Sequence, residues 1–573
     1  MKKPNLKFLS IGLVLGLTIF VASCDKNLSK NNSPKLNDGN IGYNKPQHEM
    51  KKDYTTVSPS TQSQGAMKSK ERGAPSGSYN NGYFSHESED VYVEPHNTES
   101  YNFMQENDFL KANDNPLSTF SIDVDNASYT NSRRYIDNGS LPPTDAVRVE
   151  EFINYFSYDY AKPTGKHPFS INTEVSECPW NKEHKLVHVG IQGKRFPFES
   201  MAPINLVFLV DVSGSMSDAN KLPLLKKSLT LLVNKMRPQD KISLTVYAGA
   251  AGVVLPSTSG AEKAKIIAAL DNLNAGGSTA GGAGIKLAYQ IAKENFITNG
   301  NNRVLIATDG DFNVGASSDG EMTRLVESKR DDGIFLTVLG FGMGNYKDSK
   351  MESIADHGNG NYFYIDNIAE AQKTLVEELD GTLYAIAKDV KIQVEFNPTK
   401  VQSYRLIGYE NRMLKKEDFN DDKKDAGELG AGHTVTALYE IVPVGVKEGN
   451  TSSVDPLRYQ KADPKKVEAK YADEMMVIKF RYKEPKDTVS QLIVHTLKDR
   501  QVTLANSSDN FRFSAAVAEF GMLLRDSKFK GTSTFEQAIE LAKNAKGTDE
   551  EGYRAEFVKM MKTASVLPVV GKN

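Results

Sequence analysis

Five oxygen-bearing side chains have the types and spacing of a binding site for a hard cation. Asp211, Ser213 and Ser215 lie in the segment FLVDVSGSM, Thr279 lies in AGGSTAGG, and Asp309 lies in VLIATDGD. The set contains neither His nor Cys. Oxygen ligands alone select magnesium first, with calcium and manganese as the alternatives, over zinc or copper.

The positions of these residues relative to the predicted strands place them at one edge of a sheet. The apolar run Ile204 to Val210 predicts a buried strand directly before Asp211, and Val304 to Ala307 predicts another just before Asp309. In a doubly wound sheet, loops at the carboxyl ends of neighbouring strands meet in one crevice. We therefore expect the side chains to converge there.

The three segments in this order closely resemble the metal ion-dependent adhesion site of the von Willebrand factor type A fold. The resemblance rests on DxSxS, a Thr in a Gly/Ser loop, and TDG after a strand. It implies that Ser213, Ser215 and Thr279 bind the ion through their hydroxyls, and that Asp211 and Asp309 act mostly through water or hydrogen bonds. It also implies an open coordination position for a carboxylate of a partner protein.

Each segment by itself is weak evidence, because a Ser or Asp after a strand is usually a helix cap or a turn former. The combination of all three in a strand-and-loop setting favours the metal site. The surrounding pattern predicts an α/β fold independently. Strands alternate with helices from about 200 to 380, which indicates a mostly parallel sheet covered on both faces. The last helix of this unit is predicted over 368–380.

After residue 380 the spacing of apolar residues along the chain changes. Apolar residues alternate strictly, as in Val390, Ile392, Val394 and Phe396, which predicts antiparallel strands and a β-sandwich-like flanking domain. We hypothesise that strands within 168–193 join this sandwich, so that the α/β domain is inserted into it. A C-terminal helical segment is predicted from about 508 to 565. Both flanks closely resemble those of one group of bacterial type A-domain lipoproteins.

The first thirty residues have the pattern of a secretory signal. Lys2, Lys3 and Lys7 precede an apolar core from Phe8 to Ala22, and the segment ends in Val-Ala-Ser-Cys. The Cys after the predicted cut resembles a bacterial lipobox, which implies cleavage before Cys24 and lipid attachment there. An uncleaved anchor and an ordinary secreted protein are the alternatives. The segment is short for a membrane span.

These patterns divide the chain into five predicted parts. They are a lipoprotein signal peptide at 1–23, a disordered tether at 24–105, an N-terminal flanking segment at 106–200, a type A domain at 201–382, and a β-rich flanking domain with a helical tail at 383–573. The tether is rich in Asn, Ser, Lys and Gly and poor in aliphatic residues. A lipidated Cys24 leaves Cys178 without an intramolecular partner, and we interpret Cys178 as a small buried hydrophobic residue.

Composition and motifs argue against two function classes. The formal net charge of -3 offers no basic face for nucleic acid. HExxH, GxSxG and GxxxxGK[ST] are absent, and no nucleophile or general acid accompanies the Asp309 and Asp311 carboxylates, so we predict no enzyme activity. The favoured hypothesis is an envelope-anchored binding protein, periplasmic or surface-facing, whose metal captures an exposed Asp or Glu of a partner protein. The alternative is a structural or assembly lipoprotein in which the metal only stabilises the fold.

Overall fold

A computed structural model describes residues 99–122, 125–277, 281–310, 319–344, 347–424, 426–447 and 467–568. All of them belong to one unit of the chain, Val91–Asn573. Thr279 and Cys24, together with the predicted signal peptide, lie outside the described residues, as does the predicted tether before Glu99. Within the described part, no helix combines the length and apolar character needed to cross a membrane.

The secondary structure confirms the alternation of strands and helices predicted for about 200–380 and the strands predicted after residue 380. In chain order, the strands are β1 (Leu110–Lys111), β2 (Leu117–Ser121), β3 (Phe169–Cys178), β4 (Asn181–Gly193), β5 (Ile204–Asp211), β6 (Lys241–Tyr247), β7 (Ala251–Ser259), β8 (Asn301–Thr308), β9 (Ile334–Gly340), β10 (Tyr362–Tyr364), β11 (Ala385–Phe396), β12 (Val401–Ile407), β13 (Gly427–Gly430), β14 (Thr434–Pro443), β15 (Glu474–Lys483) and β16 (Gln491–Lys498). The helices are α1 (Ala127–Asp137), α2 (Val149–Asn154), α3 (Leu222–Lys235), α4 (Lys263–Asp271), α5 (Gly281–Glu294), α6 (Asp319–Asp331), α7 (Asp348–His357), α8 (Ile368–Gln372), α9 (Leu379–Leu383), α10 (Asp509–Leu524), α11 (Phe535–Lys543) and α12 (Tyr553–Ala564).

The α/β part is a six-stranded sheet in the order β10-β9-β8-β5-β6-β7. Every neighbouring pair is parallel except β6 and β7, which form an antiparallel edge. Central strand β5 is buried along its whole length because helices cover both faces. One face packs on α3 and α4, and the other on α5, α6 and α7. The mostly parallel, doubly wound sheet predicted from the sequence is confirmed.

The last predicted helix of this part is interrupted. Instead of one helix over 368–380, the chain forms α8, then a π-helical turn over Lys373–Glu377, then α9. The wider turn accompanies the burial of Lys373, whose ammonium pairs with Glu378 and lies 4.6 Å from the centre of the Tyr155 ring. A buried ammonium requires such partners, and the periodicity of the sequence does not reveal them.

Two antiparallel sheets form the predicted sandwich around a shared apolar core. One has the order β1-β12-β14-β4-β3, and the other has β13-β11-β15-β16 with β2 paired to β11. Strand β14 pairs with β4, so strands on both sides of the α/β part lie in one sheet. This pairing confirms the hypothesis that the segment 168–193 joins the later strands. Cys178 is buried at the end of β3, as predicted, and burial raises the pKa of its thiol.

The helical tail packs against helices that precede the α/β part. Helices α10, α11 and α12 share an apolar core with α1 and α2. The core is rich in aromatic rings, including a stacked pair formed by Tyr129 and Tyr155. The C-terminal helices predicted from the sequence are therefore present, and they hold the N-terminal helices against the rest of the chain.

Candidate metal centre

Strand order brings the predicted site residues to one edge of the α/β sheet. Strand β5 lies between β8 and β6, and its register places Val210 beside Ala307 and Asp211 beside Tyr247. Asp211 is the last residue of β5, and Asp309 follows the last residue of β8. Both acidic residues therefore lie at the carboxyl ends of adjacent parallel strands, as the sequence predicts.

The Asp211 carboxylate is fully buried and accepts three hydrogen bonds from residues that the structure describes. One oxygen accepts from the backbone N–H of Ser213 at 2.9 Å. The other accepts from the Tyr247 hydroxyl at 2.9 Å and from the Thr308 hydroxyl at 3.3 Å. Burial, to which the charge of Asp309 adds, raises the pKa of Asp211, while the hydrogen bonds from Ser213 and Tyr247 oppose the rise. The bonds orient the carboxylate toward the turn that carries the serines.

The two predicted serine ligands lie side by side in that turn. Their Oγ atoms are 3.0 Å apart. Adjacent ligands of an octahedral magnesium ion, with bonds of about 2.1 Å, lie about 3 Å apart, so the pair fits two neighbouring positions of one ion. Ser213 is buried and Ser215 is exposed. The hydroxyl pair therefore extends from the protein interior to solvent.

Backbone hydrogen bonds join the glycine-rich loop to the turn that carries the serines. The described part of the loop ends at Gly277. The N–H of Gly214 donates to the carbonyl of Gly277 at 3.1 Å, and the N–H of Gly276 donates to the carbonyl of Val212 at 2.8 Å. Gly277 has a φ of +92°, a conformation that favours glycine. Thr279, two residues later, lies outside the described residues. The structure thus brings Asp211, Ser213, Ser215 and Asp309 to this edge, and Thr279 stays a prediction.

Three side chains of this edge were not predicted from the sequence. Tyr247 and Thr308 bind Asp211, and the ammonium of Lys221 lies 3.0 Å from one oxygen of Asp309. Lys221 is the N-terminal capping residue of α3. A cation at that end opposes the helix dipole. A lysine at the start of a predicted helix is therefore unexpected, and this feature of the sequence could have drawn attention to Lys221.

The donor set agrees with a hard cation. Within the described residues, no three side chains of His, Cys, Asp or Glu come together as a metal cluster. A cation at this edge would therefore depend on the hydroxyls of Ser213 and Ser215, with Asp211 and Asp309 close by. Neutral hydroxyl ligands leave the charge of a divalent ion to be balanced by Asp211, Asp309 and any anionic additional ligand.

Three protein families match successive parts of the chain. Residues 95–188 match the family described as von Willebrand factor, and residues 205–378 match the family described as von Willebrand factor type A domain. Residues 381–567 match the family described as Uncharacterized protein YfbK, C-terminal. The four described residues of the candidate centre lie within the second match.

Individual proteins are similar to this chain over different lengths. Uncharacterized protein YfbK of Escherichia coli (strain K12) is 45% identical over 474 residues, which cover 82% of this chain and 81% of that protein. The Magnesium-chelatase 67 kDa subunit of Chlorobaculum tepidum is 27% identical over 35% of this chain and 37% of that protein. Among solved structures, the von Willebrand factor type A from Catenulispora acidiphila is 14% identical, with a TM-score of 0.38, and the match covers 71% of this chain and 92% of that one.

Proposed function

The chain belongs to the family of von Willebrand factor type A domain proteins that includes YfbK of Escherichia coli, and from this premise we propose a metal-dependent binding function. The protein captures an acidic group of a partner protein through a divalent cation held at the carboxyl edge of the α/β sheet. Magnesium is the cation that the donor set favours most. The protein acts by binding and not as an enzyme.

The observation that carries this proposal is the pair of serine hydroxyls beside two buried carboxylates. Ser213 and Ser215 present two oxygens 3.0 Å apart, and Asp211 is fixed by three hydrogen bonds. Asp309 is fully buried, whereas Ser215 faces solvent. Among the described residues of the centre, Ser215 therefore marks the side from which a ligand outside the protein can approach a cation.

Each residue of this centre has a defined task in the proposed function. Ser213, Ser215 and Thr279 hold the ion through neutral hydroxyls, and Asp211 and Asp309 orient these groups and supply negative charge from behind. The bound cation supplies a positively charged acceptor for a carboxylate oxygen. An Asp or Glu on a partner protein has the charge and geometry to fill that position.

Direct titration of the full chain with magnesium chloride tests the metal centre. We expect wild type to bind magnesium, and Ser213→Ala to weaken binding by about tenfold or more, because one of the three proposed hydroxyl ligands is lost. Ser217→Ala is the matched control, since Ser217 is an exposed serine of the same turn that is not in the predicted set. Equal magnesium binding by wild type and Ser213→Ala would contradict the proposal.

Crosslinking in intact cell envelopes tests the partner. We expect a crosslinked protein with wild type in magnesium, and its loss with a chelator or in Asp211→Ala. A partner that remains bound in the presence of chelator would argue against a cation bridge. Denaturation of purified Asp211→Ala by urea distinguishes loss of the centre from loss of the fold.

A second candidate function is structural, and the complete burial of Asp211 and Asp309 favours it. Two close carboxylates removed from water repel each other, so a cation beside them stabilises the folded state even without an external ligand. In that case magnesium would raise the melting temperature, and an acidic peptide would not change the affinity for magnesium.

The location belongs to the same proposal. Cleavage before Cys24 and lipidation of that residue would anchor the protein in the bacterial envelope, facing the periplasm or the cell surface. Several acyl chains on one residue would hold it firmly, because a single chain holds only marginally. Incorporation of labelled palmitate into wild type, and its absence in Cys24→Ser, is the expected result. Equal incorporation by both would contradict it.

A further inference from the structure

Lys221 has a buried ammonium group beside the candidate metal centre. The residue is 5% exposed, and its Nζ lies 3.0 Å from Oδ2 of Asp309. Asp218 contributes a second, looser contact at 3.8 Å, and its side chain is 68% exposed. Asp309 is fully buried, so the pair with Asp309 is the one that solvent screens least.

The shape of the loop after β9 maintains this position. Gly342 has a φ of +78°, and a Cβ at that residue would lie no more than 2.9 Å from three carbons of the Lys221 side chain. The Tyr364 hydroxyl donates a hydrogen bond to the carbonyl of Gly342. A glycine therefore lets the aliphatic part of Lys221 cross the loop, and a buried tyrosine fixes the loop.

Helix stability alone does not explain a lysine here. Lys221 caps the N-terminal end of α3, where the helix dipole disfavours a positive charge. An ammonium buried among apolar groups also loses hydration and needs a partner. Both effects oppose this placement, and the Asp309 carboxylate offsets them. The arrangement therefore points to a role in the centre.

The charges around the centre indicate what that role is. Asp211 and Asp309 together carry two negative charges, which would neutralise a divalent cation. Lys221 adds one positive charge, so that the loaded centre keeps a net positive charge. The lysine and the cation repel each other, whereas the lysine and an incoming carboxylate attract each other.

We propose that Lys221 is a specificity-determining counter-charge, which weakens the affinity of the centre for its cation and strengthens the affinity of the loaded centre for a carboxylate. This inference rests on the proposed metal-dependent function. It assigns to one buried side chain the preference of the loaded centre for an acidic ligand. The ammonium acts through its positive charge.

A purely structural role for Lys221 predicts a different pattern. Loss of orientation at Asp309 would disorder the centre and would weaken both cation and carboxylate binding. Loss of the counter-charge changes the two affinities in opposite directions. Measurement of both affinities on one variant therefore separates the two roles.

The test compares Lys221→Met with wild type in two titrations of the full chain. The first uses magnesium chloride, and the second uses a blocked peptide with one Asp side chain, added to magnesium-saturated protein. Met preserves the length of the side chain and removes its charge. We expect tighter magnesium binding and weaker peptide binding, each by at least about fivefold, which is the change that one unit charge about 4 Å away produces at the dielectric constant of bulk water.

Two further variants serve as controls. Lys227→Met removes the same charge from an exposed position of α3 and should change neither affinity. Lys221→Arg keeps the charge and should move both affinities back toward wild type. Weakening of both affinities in Lys221→Met, or no change in either, would overturn the inference.

The outcomes also distinguish this inference from the proposed function. If wild type binds magnesium but not the peptide, the proposed partner chemistry is wrong. In that case, an unchanged or weaker magnesium affinity in Lys221→Met also overturns the proposed role of Lys221. A tighter magnesium affinity supports the proposed effect of Lys221 on cation binding. If wild type binds neither ligand, both proposals are overturned.

Discussion

The hydroxyl of Tyr247 donates a 2.9 Å hydrogen bond to the carboxylate of Asp211, its neighbour in the parallel register of β6 and β5. Both side chains are fully buried. This bond connects the acidic residue of the centre to the adjacent strand, and the orientation of Asp211 depends on it.

We expect Tyr247→Phe to weaken magnesium binding and to lower the free energy of unfolding by about 1 to 3 kcal/mol, because a buried acceptor loses its partner. Among the described residues, the substitution leaves one oxygen of Asp211 with only the 3.3 Å contact from Thr308. It also removes a bond that opposes the raised pKa of Asp211, so the carboxylate holds a proton more readily. Magnesium titration should show a larger loss at pH 5.5 than at pH 8.

Tyr289→Phe is the matched control for that substitution. Tyr289 is also buried beneath the same face of the sheet, but its hydroxyl has no hydrogen-bond partner among the described residues. Removal of an unsatisfied hydroxyl should leave the free energy of unfolding unchanged or raise it. Equal losses of stability and magnesium affinity in the two variants would show that the bond to Asp211 has no special role.

Gly284→Ala should disturb the same tyrosine from the opposite side. A Cβ on Gly284 would lie 2.8 Å from Cβ of Tyr247 and 3.2 Å from Cδ1 of Leu209. Alanine favours a helix over glycine by about 1 kcal/mol, but overpacking in a filled core costs about 1 to 3 kcal/mol. We expect net destabilisation in urea unfolding together with weaker magnesium binding. Gly252→Ala, where a Cβ meets open space, should change neither.

Much of the fold could be predicted because apolar periodicity reports burial directly. The sequence of strand β5 is a nearly continuous apolar run because both faces of the strand are buried. The positions of Asp211 and Asp309 follow from the same rule, since parallel strands end at one edge. The alternation at Val390 to Phe396 likewise identifies a strand with one face in the core.

The polar contacts of the core could not be predicted, because they depend on residues far apart in the chain. Lys221 reaches Asp309 across two loops, and Arg133 reaches Asp366 from a helix more than two hundred residues earlier. No periodicity marks such pairs. The π-helical turn after α8 could not be predicted for the same reason. Lys373 is buried against Tyr155, which is distant in the sequence.

The ion pair between Arg133 and Asp366 should be essential for stability. Arg133 is 2% exposed and donates to both oxygens of Asp366, at 2.6 and 2.7 Å, and to Glu370 at 2.8 Å. Arg133→Met would leave two buried carboxylates without their cation. We expect a loss of about 3 to 5 kcal/mol in the free energy of unfolding, measured with urea.

An exposed ion pair is the comparison for that variant. Lys265 and Glu262 lie 3.2 Å apart on the surface, with half of each side chain accessible to solvent. Lys265→Met should cost no more than about 1 kcal/mol. Similar losses for Lys265→Met and Arg133→Met would contradict the dependence on burial.

A buried carboxylic acid in the helical tail should make stability depend on pH. Glu519 of α10 is fully buried, and it accepts one hydrogen bond from the Ser533 hydroxyl at 3.0 Å. Burial raises the pKa of Glu519 to about 7, although the bond from Ser533 opposes the rise. The ordinary value of 4.5 applies to the unfolded chain. Between these two values, the folded state holds a proton that the unfolded state releases.

The sign of the pH effect follows from that difference in bound protons. Because the unfolded state binds fewer protons between pH 4.5 and 7, the free energy of unfolding falls as pH rises through this range and levels off above it. The fall is about 3 kcal/mol for a change of this size in pKa. Glu519→Gln, which mimics the protonated acid, should lose less stability than wild type between pH 5 and pH 8 in urea unfolding. Glu536→Gln, at an exposed position of α11, should show the same pH dependence of unfolding as wild type. If the free energy of unfolding of Glu519→Gln changed with pH in parallel with that of wild type, Glu519 would not be the group that carries the proton.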